Sequence, residues 1–106
     1  MKAVLNDLER DVFFTFSLHT PFRITSNMRY IFFKVHEKVV DVLVYLKDNA
    51  SELDRECVDD MCTNTMASLI PGIKEVRYNI RVSTDNYDNL EKFDFCIFGL
   101  SEGQIE

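Results

Sequence analysis

Residues 28–47 leave this chain few choices. They read Met-Arg-Tyr-Ile-Phe-Phe-Lys-Val-His, then Glu-Lys, then Val-Val-Asp-Val-Leu-Val-Tyr-Leu-Lys. β-Branched and aromatic residues fill two runs of strand length, and both runs alternate. Ile31, Phe33 and Val35 share one face of the first run, and Val40, Val42, Val44 and Leu46 share one face of the second. His36, Glu37 and Lys38 fall between the runs, which predicts a chain reversal and an antiparallel hairpin with one strongly apolar face. A lone hairpin is marginal in water. Another part of the chain has to cover that face.

The opposite face carries Tyr30, Phe32, Lys34 and His36 from one strand, with Asp41, Leu43 and Tyr45 from the other. Two readings are open for it. One is cross-strand packing under a further element. The other is a recognition surface, because Tyr and Phe are enriched at the cores of protein interfaces. On that second reading Tyr30, Phe32, Asp41 and Tyr45 are the residues that meet a partner.

Helical patterns lie on both sides of the hairpin, and the apolar stripe of the second is the expected cover for its first face. Leu5, Leu8, Val12 and Phe16 recur at helical spacing, which favours an amphipathic helix ending before Pro21. Phe14, Phe16 and Leu18 also alternate as a strand would, and the helix is the reading taken. After the hairpin, Ser51 followed by Asp54 is a helix-start signature, and Pro71-Gly72 is a stop. Leu53, Cys57, Val58, Met61, Cys62, Met66 and Leu69 predict one apolar stripe between them. Two further strands follow. In the first, Val76, Tyr78, Ile80 and Val82 point inward and Arg77, Asn79 and Arg81 outward. The second, residues 92–100, is apolar on both faces and predicts a central or covered strand. Asp85, Asn86, Asp88 and Asn89 mark a turn or short helical loop between them.

These elements predict one α+β domain over residues 1–106, in the order αββαββ. Its sheet is expected to be four-stranded and mainly antiparallel, with the second helix packed on one face. A hydrophobic content of 46% with 13 aromatic residues (4 Tyr and 9 Phe) fits a folded globule. Cys57, Cys62 and Cys96 match no metal-binding spacing and read as small buried apolar groups. They point to a reducing, cytoplasmic setting. Asp7, Glu9 and Asp11 stand where a signal peptide would be apolar, and no apolar run is long enough to span a membrane.

The net charge of −6 is uneven: residues 1–50 carry 7 basic and 6 acidic groups, residues 51–83 carry 4 and 6, and residues 84–106 carry 1 and 6. Such a field disfavours nucleic acids and anionic membranes and attracts a basic protein. The most informative group lies opposite the stripe of the second helix, where Glu52, Glu56, Asp59 and Asp60 share one side. Glu52 and Asp54 favour the helix dipole, but Asp59 and Asp60 lie beyond the first turn and gain little. Glu52/Glu56 and Glu56/Asp60 are like-charge pairs costing on the order of 0.2–0.5 kcal/mol each, and Arg55 offsets part of this toward Asp59. The face is either merely solvated or kept acidic to receive a basic surface.

Signals for chemistry are weaker. His19 and His36 have no nucleophile at a motif spacing. Residues 85–91 share only their composition with a calcium loop, lacking its glycine and ligand spacing. No glycine-rich phosphate loop is present, and Lys34, Arg77 and Arg81 have no accompanying RNA-binding aromatic motif. No cofactor and no enzyme activity are expected.

Residues 28–36, residues 39–46 and the helix opening Ser51-Glu-Leu-Asp54 together resemble a small bacterial immunity protein of a contact-dependent growth inhibition system. The resemblance implies a cytoplasmic, non-catalytic inhibitor that binds one toxin domain, often a nuclease, and blocks its active site or substrate surface. It carries over no binding residues. Two other classes fit a small acidic protein: a phage-type inhibitor of a nucleic-acid enzyme, and an acidic secretion chaperone, which would need a strong apolar dimer interface.

Overall fold

A computed structural model describes residues 5–19, 24–69 and 72–99. Helix α1 (Asp7–His19) is followed by strands β1 (Met28–His36) and β2 (Val39–Leu46), helix α2 (Glu52–Leu69) and strand β3 (Glu75–Val82). A 3-10 turn at Tyr87–Asn89 then leads to strand β4 (Phe95–Gly99). The αββαββ order is the expected one. Pro21, Pro71 and Leu100, used in the sequence reading, lie outside the described residues.

Local chemistry starts each element. In α1 the Asn6 side chain accepts the Glu9 N–H at 2.8 Å, and the Glu9 carboxylate accepts the Asn6 N–H at 2.9 Å. This reciprocal capping is worth about 1 kcal/mol. The hairpin closes through Glu37 and Lys38, with φ of 51° and 66°, flanked by the pair His36↔Val39. Positive φ at both central positions lets the tight turn follow the twist of its strands.

The start of α2 is more heavily built. Asp54, only 3% exposed, accepts the Ser51 N–H at 2.7 Å and the Asn27 side-chain amide at 2.9 Å. The Thr25 hydroxyl and then the Ser51 N–H hold its carboxyl down to about 2, from an ordinary 3.8, against the opposing effect of burial. A carboxylate whose pKa is lower folded than unfolded stabilises the fold above the unfolded value and loses that contribution as pH falls through the folded one. Asp54→Asn should therefore cost about 1–3 kcal/mol near neutral pH. The gap between variant and parent should close between about pH 4 and about pH 2. Denaturant melts across that range check it, and a constant gap would show that the charge contributes nothing.

Ile31, Phe33, Val40, Val42, Val44 and Leu46 form the floor of the main core. Both helices cover it, α1 with Val12 and Phe16 and α2 with Val58, Met61 and Cys62. Phe33 lies at its centre, with the rings of Phe16 and Phe95 5.9 and 5.1 Å away. Each such side chain contributes about 1.5–3 kcal/mol by leaving water.

The sheet departs from expectation in direction. Its strand order is β3-β2-β1-β4, and β3 runs parallel to β2, so the sheet is mixed and not mainly antiparallel. The cause is α2. Its 18 residues span roughly 27 Å at 1.5 Å per residue. The 8 residues of β2 span roughly 26 Å. The helix thus returns the chain to where β2 began, and Glu75 pairs with Val39.

Three side-chain expectations also change. Leu53 is 63% exposed, because it lies roughly 130° round the helix from the centre of the buried stripe, and Asp54 and Thr65 take the buried positions. Tyr78 and Val82 are exposed as well, since β3 is an outer strand that α2 only partly overhangs, and Val76 and Ile80 alone reach the core. The last strand is covered on both faces, by the main core and the smaller one, but it is not central and it starts later than expected, at Phe95. It lies at the opposite edge, against β1, and a register shift beside Phe32 brings Ile97 and Phe98 together against the main core.

Candidate protein-binding surface

The second face of the hairpin is closed. Tyr30, Phe32, Leu43 and Tyr45 form a smaller core with Leu90, against which Tyr87, Phe93 and Cys96 pack. The chain between β3 and β4 acts as a strap over it. Arg29, 4% exposed, ties the strap's start to β1 by donating to the Ser83 and Asp85 carbonyls at 2.7 Å each. Farther along, the Tyr45 hydroxyl donates to the Glu91 carbonyl at 2.8 Å, and Arg81 pairs with the Glu91 carboxylate at 2.6 Å. Lys34 caps the ring of Phe93 at 4.3 Å. Of the four residues offered as an aromatic docking face, Tyr30, Phe32 and Tyr45 are thus buried, at 5%, 0% and 2% exposure. Only Asp41 reaches solvent, in a forked ion pair with Arg77 at 3.0 and 3.4 Å. Alanine at the three aromatic positions would damage the fold before it reported on an interface.

The acidic face of α2 is open. Glu52, Glu56, Asp59 and Asp60 are all exposed and, with Arg55 and Tyr78, line one shallow hollow of about 350 Å³. That volume is at the low end for small-molecule pockets, which are mostly apolar, whereas four carboxylates border this one. Tyr78 was not foreseen here. Its hydroxyl donates to Asp59 Oδ1 at 2.9 Å, so the wall of the hollow runs from α2 onto β3. The hydrogen bond to Asp59, then burial and the Asp59 charge, raise the Tyr78 pKa and keep the phenol a donor. The sequence carried half of the signal: the alternation of β3 puts Tyr78 on the face that α2 covers, while its place beside the acids follows from the parallel pairing of β3 with β2.

Among the described residues, the remaining chemistry-bearing groups do not assemble into a catalytic set. His19 Nε2 lies 3.1 Å from Ser68 Oγ, but that hydroxyl donates to the Asn64 carbonyl and is left to accept from the imidazole. Nucleophile activation needs the reverse. Burial, with the Asp59 charge second, pushes the Cys62 thiol up to about 12, and burial also raises Cys96. Neither is a ready thiolate at neutral pH. Among the described residues, no group of three or more His, Cys, Asp or Glu side chains is placed to hold a metal ion. No described helix is long and apolar enough to cross a membrane.

No curated protein matches the chain. A family model does, over residues 22–102, a span that takes in all four strands, α2 and the strap and leaves out α1. With three quarters of its length and its whole sheet inside that match, the chain belongs to the MafI2 immunity protein family.

Proposed function

We propose that this protein neutralises one cognate toxin domain by holding it in a stoichiometric complex, with the acidic outer face of α2 as the contact. Membership of an immunity family supports a toxin as partner. The observation that carries the choice of surface is the hollow lined by Glu52, Glu56, Asp59 and Asp60, exposed and spaced so that like charges are neighbours. A surface that costs the free helix a few tenths of a kcal/mol per pair is relieved when positive charge arrives. The partner's complementary chemistry is therefore basic. A nuclease fits it, because the groove that receives phosphates is lined by Lys and Arg, and carboxylates seated there would exclude the nucleic acid. The site of action is the cytoplasm, where a toxin delivered by contact would meet its substrate.

Inhibition is by occupancy and not by turnover. Purified protein titrated into the toxin domain encoded beside it in the source cell should abolish toxin activity with a break at one equivalent. The two should elute together from a sizing column. Neutralisation continuing well below one equivalent would show catalysis and sink the proposal, as would the absence of any complex with that domain.

A further inference from the structure

The two outer edges of the sheet differ. An edge strand presents a row of N–H and C=O groups that can template a strand of another chain, and proteins blunt such edges by shortening, bulging or placing Lys and Pro on them. β4 is blunted: it has 5 residues and a register shift against β1. β3 is not. Its 8 residues pair with β2 from Val39↔Glu75 to Leu46↔Val82 without a shift, and it contains neither Lys nor Pro. Its two arginines are engaged on the strap side, Arg77 with Asp41 and Arg81 with Glu91. On the α2 side it exposes Tyr78 and Val82, at 41% and 48%. Tyr78 leads directly into the acidic hollow through its bond to Asp59.

We propose that β3 is the edge onto which the toxin adds a strand, extending the sheet to five strands. Alternate side chains of a strand face one side, so basic residues at every second position of the incoming segment reach the carboxylates of α2. Main-chain hydrogen bonds supply affinity and the alternate side chains supply specificity, as in strand addition generally. Charge selects this occupant over a second copy of the chain. Two β3 edges joined antiparallel would put both α2 helices on the same side of one continuous sheet. Their acidic faces would then repel, each chain carrying −6. A basic segment is attracted by the same field.

This inference rests on the acidic-face reading, and amide hydrogen exchange on the full chain, with and without the toxin domain, separates the two. Amides of residues 75–82 that point away from β2 should slow by roughly tenfold or more in the complex, while those of β4 should not change. Val82→Lys, at an exposed position outside the hollow, should leave the melting temperature near the parent's and weaken binding by about tenfold or more. Unchanged β3 exchange in a complex still weakened by neutralising the α2 carboxylates would overturn strand addition and leave the acidic face standing. Loss of neither β3 exchange nor affinity would remove both. Slowing of β3 exchange by raising the concentration of the protein alone would assign the edge to a second copy and also overturn the proposal.

Discussion

Met61→Asp should leave little folded protein. Met61 has 0% exposure and lies in the main core with Val58 and Cys62, facing the apolar floor of the sheet. The substitution removes the packing of a large side chain, worth about 2–5 kcal/mol. It also buries a carboxylate with no partner, which adds several kcal/mol or forces the group to stay protonated. A single domain has only about 5–15 kcal/mol in total. Thr63→Asp, two residues on, is at an exposed position and should move stability by no more than about 0.5 kcal/mol. Denaturant melts of both variants measure the contrast. Equal losses would mean that α2 presents a different face to the sheet.

Neutralising the acidic face should have the largest effect on binding. In the variant Glu56→Gln, Asp59→Asn, Asp60→Asn the shape of the hollow is retained and three charges are lost. Association should slow by about tenfold and affinity fall by about a hundredfold, with a shallower dependence of the association rate on salt. Stability should hardly change. Relief of the Glu56/Asp60 repulsion returns about 0.2–0.5 kcal/mol. Asn at 59 still offers an oxygen to the Tyr78 hydroxyl, now without the charge that strengthens the bond at 2.9 Å. If this variant binds the toxin domain as tightly and as quickly as the parent, the carboxylates form a solvated face and the interface lies elsewhere.

Elements and their apolar faces were legible in the chain because alternation and helical spacing report burial directly. Ile31, Phe33, Val42 and Val44 were assigned to the core from period alone, and they are there. Strand direction was not legible, since a period of two is the same in parallel and antiparallel pairs. The clue was a helix between β2 and β3 as long as the strand it returns along. Leu53 and Asp54 exchanged roles for a related reason. Hydrophobicity argues for burying Leu53, but the orphan Ser51 N–H at the helix start needs an acceptor, and Asp54 fills that need from inside. The strap was the least legible part. Residues 84–91 look polar, and only the three-dimensional chain shows that Leu90 and Tyr87 lie over Tyr30 and Phe32. In the candidate site, the side of α2 bearing the four acids could be read from angle alone. Tyr78 required knowing which strand runs beside that helix.

The strap also has a consequence for the order in which the protein is made. Synthesis runs from the N-terminus, so α1 precedes the hairpin, and α2 begins within a few residues of Leu46 and brings the first large cover to the main core, which Phe95 of β4 completes later. The other hairpin face waits much longer. Tyr45 is made 45 residues before Leu90, the residue that closes over it (90 − 45 = 45). At roughly 5–20 residues per second, that gap lasts about 2–9 seconds. For those seconds a nascent chain displays two tyrosines, a phenylalanine and a leucine on an open sheet, and the growing polypeptide itself carries the only cover that the described residues provide.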